Sequence, residues 1–307
     1  MSGMKPTRSG GPPADWEHRA LYDRVKEAIH ALPTRFRTSL RIAGLSATDL
    51  FTLNTPIGAA IEASVVDNLN LLRELWDPDK KYAKYSFVRQ AQVFPDVLLK
   101  TTAPDAPPGE EVIMGIELKG WFVLSKEGEP SFRYTASPLV CALQDLLVVF
   151  PWGLDEIISG VPKLYRPLIE EARYAAEHRN YYWEHMRGAT GEAAVVDLSP
   201  ITMPYPSKKG DKFNDKVRID SGNFGRVARG GLMKEFVAEL MEQPISGIPA
   251  LYWHKFLTIF SETARENQIE KKLAQMRKNA EKDGLTTDGL ETLDRIQEGL
   301  RELISKT

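Results

Sequence analysis

The sequence predicts an α/β fold, and three observations lead there. Apolar residues recur at helical spacing along 16–32 and again along 55–76. Two strand-like stretches follow, 93–100 (VFPDVLLK) and 112–124 (VIMGIELKGWFVL), parted by a Pro-rich loop that suits neither element. A further helix and a continuous apolar run at 146–150 (LLVVF) come next, so helices and strands alternate along the chain.

Residues 1–14 are rich in Gly, Pro and Ser and are expected to be disordered. Within the helical region 15–54, Leu21, Val25, Ile29 and Leu32 define an amphipathic helix that ends before Pro33, whose ring and missing N–H break helices. The next helix opens at Thr55 and Pro56, an N-cap followed by a proline suited to the first turn, and runs to Trp76. After the two strands, a turn at 126–130 leads to an extended stretch 131–135 and a helix entered at Ser137 and Pro138. The 146–150 run reads as a buried strand, and 167–186 as a helix carrying Tyr181, Tyr182 and Trp183. His178 and His185 stand seven residues apart on it, too far for joint metal ligation.

The segment 188–265 is polar and loop-rich to residue 231, with five glycines from Gly210 to Gly231, and mixed helical thereafter. There 251–260 (LYWHKFLTIF) reads as a buried helix, His254 included. Residues 266–307 form two charged helices broken at 283–289. In the second, Leu293, Ile296, Leu300 and Leu303 follow a 3-4-3 spacing suited to a partner helix.

The totals exclude several classes. With 307 residues, 42% hydrophobic and 27% charged, the chain has an ordinary globular composition. No apolar run reaches the roughly 18–20 residues of a membrane helix, and no signal-peptide stretch opens the chain. Cys141 is the only cysteine, which excludes an internal disulfide, disfavours a cysteine-based zinc site and fits a reducing cytoplasm. GxxxxGK[ST], HExxH and GxSxG are absent, so no nucleotide cofactor is expected. The formal net charge is -2, yet residues 1–42 carry eight Lys/Arg against four Asp/Glu, and 204–230 carry seven against three. Such local surpluses suit phosphate contacts, although two solvated loops would show the same balance.

Chemistry concentrates on the two strands. Asp96 and the tripeptide Glu117-Leu118-Lys119 sit on consecutive apolar stretches, about twenty residues apart. Side chains alternate faces along a strand, so Glu117 and Lys119 point the same way and Leu118 the other. If the strands pair, Asp96 joins them. A separation beyond about a dozen ångströms from Glu117, more than a two-ion cluster spans, defeats this reading.

Phosphodiester hydrolysis needs what such a site offers. A hard divalent cation, Mg2+, held by the carboxylates and a backbone carbonyl (that of Leu118, between them) would polarise a phosphoryl oxygen and lower the pKa of a bound water. Lys119 would orient that water. At an ordinary pKa of about 10.4 it is a poor general base. Pro78-Asp79, Pro104-Asp105, Asp79-Lys80-Lys81 and Glu270-Lys271-Lys272 fit fragments of the same pattern, but in polar, turn-like or charged helical contexts. The plain alternative is a surface ion pair at a strand end. Glu62 adds a third acid, on the apolar stripe of Gly58, Val65, Val66, Leu69 and Leu72. An ionised carboxylate there needs a partner, which Lys119 or a metal-bound water would supply, unless it reaches solvent at the stripe edge.

The segments NTPIGAAIEASVVDNLNLL, FPDVLL, IMGIELKGWFVLSKEGEPSFRYTASP and DLLVVFPW resemble the core of type II restriction endonucleases of the PD-(D/E)XK superfamily. The resemblance covers residues 55–187, less than half the chain. It implies an αβββαβ core with a mixed central sheet flanked by helices, and helical additions at both ends. It also implies Asp96 and Glu117 as metal ligands, Lys119 as the catalytic lysine and Glu62 as the helix glutamate of many members.

The segment 204–230 has the make-up of a recognition element for double-stranded DNA. Lys208, Lys209 and Lys212 suit phosphates, whereas Asn223, Arg226 and Arg229 suit purine edges, and the glycines permit close approach. Lys126 and Arg133, directly after the second strand, suit backbone clamping. A flexible basic loop, with Asn223 as a turn residue, is the plain alternative. The first expectation is therefore a Mg2+-dependent type II restriction endonuclease leaving 5′-phosphate ends. It would work as a homodimer, because two copies of one site cut two strands, with the C-terminal helices as the candidate join. The second is a structure-selective PD-(D/E)XK nuclease of repair or defence, which the long polar insertion disfavours. The third is a non-catalytic DNA-binding protein on the same fold, which the intact Asp96, Glu117 and Lys119 disfavour.

Overall fold

Alternating helices and strands build a mixed α/β architecture. The computed structural model describes residues 4–43, 54–90, 92–101, 103, 109, 111–187, 194–207, 210–218, 223–261 and 266–304. Strands β1 (Tyr85–Arg89), β2 (Val97–Thr101), β3 (Val112–Phe122), β4 (Leu146–Leu154), β5 (Pro162–Leu164) and β6 (Leu168–Glu171) form one six-stranded sheet. β1, β2 and β3 are antiparallel in turn, whereas β3 and β4 run parallel. β4 pairs with β5 through 152–154 and with β6 through 146–149. All nine residues of β4 are buried, as a continuous apolar run requires when both faces are covered.

Helix α1 (Arg19–Arg35) buries Leu21, Val25, Ile29 and Leu32 and packs on α2 (Asn54–Leu71) and α3 (Arg73–Trp76). α2 lies against β1 and β3. α4 (Ala172–Tyr181) packs on β4 and β6 and continues into a π turn, Tyr182–Met186. A short ribbon, β7 (Val196–Asp197) with β8 (Lys216–Val217), follows. Then come α5 (Lys234–Met241), the hairpin β9 (Pro244–Ile245) and β10 (Ile248–Pro249), α6 (Ala250–Ser261), α7 (Glu266–Lys282) and α8 (Thr287–Ile304). One hydrophobic core runs from Leu21 to Leu293. No helix among the described residues is long and apolar enough to cross a membrane.

Several elements depart from expectation for identifiable reasons. α1 continues through Pro33 to Arg35, and Phe36 N closes on Leu32 O at 2.7 Å. β1 carries no sequence signal of its own, since YSFVR is too short to show a period. The 93–100 stretch becomes a strand only at Val97, after a bend that holds the cis bond Phe94–Pro95. The helix expected at Ser137 shrinks to one 3₁₀ turn, Pro138–Val140, and the first residues of 167–186 are β6.

The N-terminal segment follows a defined path from residue 4, against the expected disorder. Its backbone amides find an anion: Ser9 N, Gly10 N and Gly11 N donate to the Glu171 carboxylate, and Arg8 grips Glu170. In α8, Leu293 is buried in the same core as Leu273, Met276 and Ala280 of α7, and Gln297 Nε2 donates to Leu273 O at 3.0 Å. The seam expected for a dimer thus meets a helix of its own chain. The side chains of Leu300, Leu303 and Thr55 lie outside the described residues. His254, expected in the core, stands half-buried with Nε2 3.2 Å from Lys126 O.

A buried ion pair fastens Asp215, in the polar stretch 210–218, to α4 and to the backbone at Tyr134 and Ala136. Arg179 Nη1 donates to Tyr134 O and Ala136 O, both at 2.9 Å, and Nη2 reaches Asp215 Oδ2 at 2.5 Å. Asp215 also accepts from Asn180 Nδ2 at 3.1 Å and from Ser199 N at 2.9 Å. Both ions are essentially inaccessible, with side chains 1% and 0% exposed. Asp215→Ala would strand the guanidinium. The variant should lose about 3–5 kcal/mol, read from its urea unfolding midpoint, and an unchanged midpoint would contradict this role.

Candidate active site

β2 and β3 pair only as far as Val97 opposite Ile116. Beyond that point β3 continues to Phe122 beside β4, and its other edge opens into a notch. Carboxylates take up the N–H groups on this edge. Leu118 N donates to Asp96 Oδ2 at 3.0 Å, and Gly120 N donates to Glu62 Oε1 at 2.8 Å. Asp96 N in turn donates to Glu117 Oε2 at 3.2 Å. Strand alternation sets Lys119 on the same face as Glu117, with Nζ 2.7 Å from Glu117 Oε1 and 3.5 Å from Asp96 Oδ2. Asp96, Glu117, Lys119 and Glu62 therefore lie at one place, and Asp96 is far inside the dozen-ångström limit. Glu62 has the Gly120 N–H as its hydrogen-bond partner, in place of the lysine or water expected for it.

Two glycines allow this convergence. A Cβ on Gly115 would come within 2.3 Å of Pro95 Cγ and 2.9 Å of Asp145 Oδ1, so the Pro95-Asp96 bend rests directly on β3. A Cβ on Gly120 would meet Gly58 Cα at 3.3 Å, which lets α2 approach closely enough for Glu62 to reach the strand. Sequence reasoning missed both contacts. A glycine inside an apolar strand is the signal that marks a close backbone approach. It also missed Arg89, exposed at the end of β1.

The electrostatics follow from burial. Burial pushes the Glu117 carboxyl up to about 7; Lys119 opposes this and the nearby Asp96 adds to it. Burial likewise raises Glu62, against the Gly120 N–H, Lys119 and Arg89. For Lys119 burial disfavours the charge, but Glu117 and Asp96, with Glu62, outweigh it and hold the ammonium above the ordinary lysine range. The two ends of the Lys119–Glu117 pair pull in different senses. Lys119 stays protonated, since three carboxylates surround it while Glu117 shares that cation with Asp96. An amine so held serves to orient and to offset charge, and is no general base.

The donor set fits a small hard cation. No group of three His, Cys, Asp or Glu positioned to hold a metal occurs among the described residues. Mg2+, however, keeps several waters and is commonly held by one or two carboxylates. Asp96 and Glu117 supply two. A residue's N–H and C=O face the same strand edge, so the Leu118 carbonyl faces the notch beside its Asp96-bound N–H. The Lys119 ammonium, seated on both carboxylates, already marks the position as one that draws positive charge.

The residues expected to contact DNA are dispersed. Arg133 and Arg226 come together through a backbone bridge, and Tyr134 N donates to Gly225 O at 2.8 Å. Asn223 accepts the Arg226 N–H at its own carbonyl, 3.2 Å away, as a turn residue does. Both side chains face a cavity of about 80 Å³ shared with Tyr182, Trp183 and Arg187, and Arg226 Nε is buried there without a hydrogen-bond partner. Lys126 is exposed against α6, and Lys212 is exposed. Lys208, Lys209 and the side chain of Arg229 lie outside the described residues. The aromatic cluster packs: Trp183 stacks edge-on against Phe224, and Arg187 covers its ring at 4.0 Å.

No family model, curated protein or solved structure matches this chain.

Two outcomes are expected. Gly115→Ala should cost about 1–3 kcal/mol through overpacking against Pro95, measured by thermal unfolding, and wild-type stability would show that the bend has room. Metal-free protein should lose stability as pH rises from about 4.5 to about 7. A carboxyl raised in the fold keeps its proton while the unfolded chain has already released it, so stability falls as pH climbs through about 7 for Glu117. Glu117→Gln should flatten that window in melts recorded with EDTA, and an equal slope in both proteins would refute it.

Proposed function

We propose that this chain is a Mg2+-dependent nuclease of the PD-(D/E)XK class that cuts double-stranded DNA at a specific site, as type II restriction endonucleases do. One observation carries the reading: Asp96, Glu117 and Lys119 meet at a break in the sheet where two carboxylates and a backbone carbonyl face one notch. α2 ahead of the antiparallel β1–β3, with β4 parallel to β3, supports an αβββαβ core. The single turn at Pro138–Val140 departs from that frame where a helix is expected.

When bound, the cation supplies charge neutralisation at the phosphoryl oxygen and a water of lowered pKa. Asp96 and Glu117 would hold it, and Leu118 would offer its carbonyl. Lys119 orients the attacking water and offsets charge that builds on the phosphate. Glu62 fixes the strand edge through Gly120 N. An O–P bond forms as the P–O3′ bond breaks, leaving a 5′-phosphate and a 3′-hydroxyl. Arg133 and Arg226, joined by their backbone bridge, would meet the duplex together, and two copies of the chain would serve its two strands. The lone buried Cys141 suits a reducing cytoplasm.

A second reading, binding without cleavage, draws on the Lys119 ammonium. It already sits against both Asp96 and Glu117 and would take the place of an ion.

Plasmid DNA separates the two. Defined fragments in Mg2+ and intact plasmid in EDTA are expected, whereas bound but uncut DNA would favour the second reading, and a smear without fixed ends would favour a structure-selective enzyme. Asp96→Ala and Lys119→Ala should each lower the cutting rate by roughly 10²–10³-fold or more, with folding and DNA binding retained. Wild-type rates in either variant would remove the assignment. Arg226→Ala should relax site choice, and unchanged fragment ends there would count against its contact with the bases.

A further inference from the structure

The Asp96 carboxylate owes its place to a loop that the β-ladder does not hold. β1 ends at Arg89 and β2 begins at Val97, so Pro95 and Asp96 lie in the connection between them. One residue takes up both of their carbonyls. Gln90 N donates to Asp96 O at 2.7 Å, and Gln90 Nε2 donates to Pro95 O at 2.9 Å. Gln92, in the same loop, takes a left-handed φ of 61°, a conformation that persists when its surroundings over-determine it.

We propose that Gln90 is a positioning residue that aims Asp96 at the cation and the scissile phosphate; this rests on the nuclease reading above. The backbone of Asp96 is fixed on three sides. Gln90 N holds its carbonyl, Glu117 accepts its N–H, and Pro95 abuts β3 at Gly115. With the peptide so clamped, only the two side-chain torsions of Asp96 remain, and the bond from Leu118 N to Oδ2 sets them. The Gln90 amide reaches Pro95 O with a neutral donor. An acid there would lose the donor and repel Asp96, whereas an apolar side chain of equal length would leave the Pro95 carbonyl without its partner. A ligand displaced by about an ångström loses catalytic geometry without unfolding the sheet.

The test compares wild type, Gln90→Met and Gln90→Glu in three measurements. Mn2+ affinity by calorimetry reads the ligand position without requiring turnover, cleavage kinetics separate kcat from KM, and melts in EDTA read the fold. Gln90→Met should bind Mn2+ about tenfold more weakly and cut with a kcat about 10–100-fold lower, with KM for DNA within about twofold of wild type. Gln90→Glu should lose at least as much and stands in if the Met variant fails to fold. Wild-type Mn2+ affinity and kcat in a folded variant would overturn the proposal, and a lowered melt with unchanged affinity would reduce Gln90 to a turn brace. If the wild type itself neither binds Mn2+ nor cuts, the nuclease reading fails and this proposal with it.

Discussion

Where β2 stops and β3 goes on, two backbone N–H groups lose their ladder partners, and the whole site depends on how they are satisfied. A buried donor left unpaired costs about 1–3 kcal/mol, so the fold must bring acceptors to Leu118 N and Gly120 N. It brings the carboxylates of Asp96 and Glu62. Chemistry and structure are thereby joined in the same atoms: the acids that could hold an ion also finish the edge of the strand. The glycines at 115 and 120 matter for the same reason, since they let a bend and a helix come close enough to deliver those acids.

Concentrating acids beside one another has an electrostatic consequence. Asp96, Glu117 and Glu62 surround a single ammonium, so the cluster carries more negative charge than Lys119 can balance. Glu117, the most deeply buried of the three, answers by holding its proton more tightly. The lysine is held charged by the same field. A divalent cation would satisfy what one ammonium leaves unsatisfied, which is why the arrangement reads as a poised site more readily than as a surface ion pair. Its half-buried setting supports that distinction, since exposed pairs are screened and contribute little.

Much of this was legible in the chain. Alternation along VIMGIELKGWF placed Glu117 and Lys119 on one face, and the helical stripe through Gly58, Val65 and Leu69 placed Glu62 where a partner was needed. Long periodic elements such as α1, α2 and the C-terminal pair also declared themselves. What escaped is non-local. YSFVR becomes a strand only because β2 offers it a ladder, and Leu168–Glu171 becomes one because β4 has a free edge there. The N-terminal residues look disordered by composition, yet Glu170 and Glu171 gather their amides and Arg8 from 160 or more positions away. Likewise Asp215 counts as one more surface acid in a basic segment until Arg179 is seen beneath it.

That buried pair bears on how freely the polar insertion can change over evolution or in design. Residues 194–218 are fastened through Asp215 to a guanidinium that also grips the backbone at Tyr134 and Ala136, just downstream of the β3 strand. The insertion is consequently not an interchangeable cassette. A transplanted segment would have to arrive with its own carboxylate at this spot, or the host would have to exchange Arg179 at the same time.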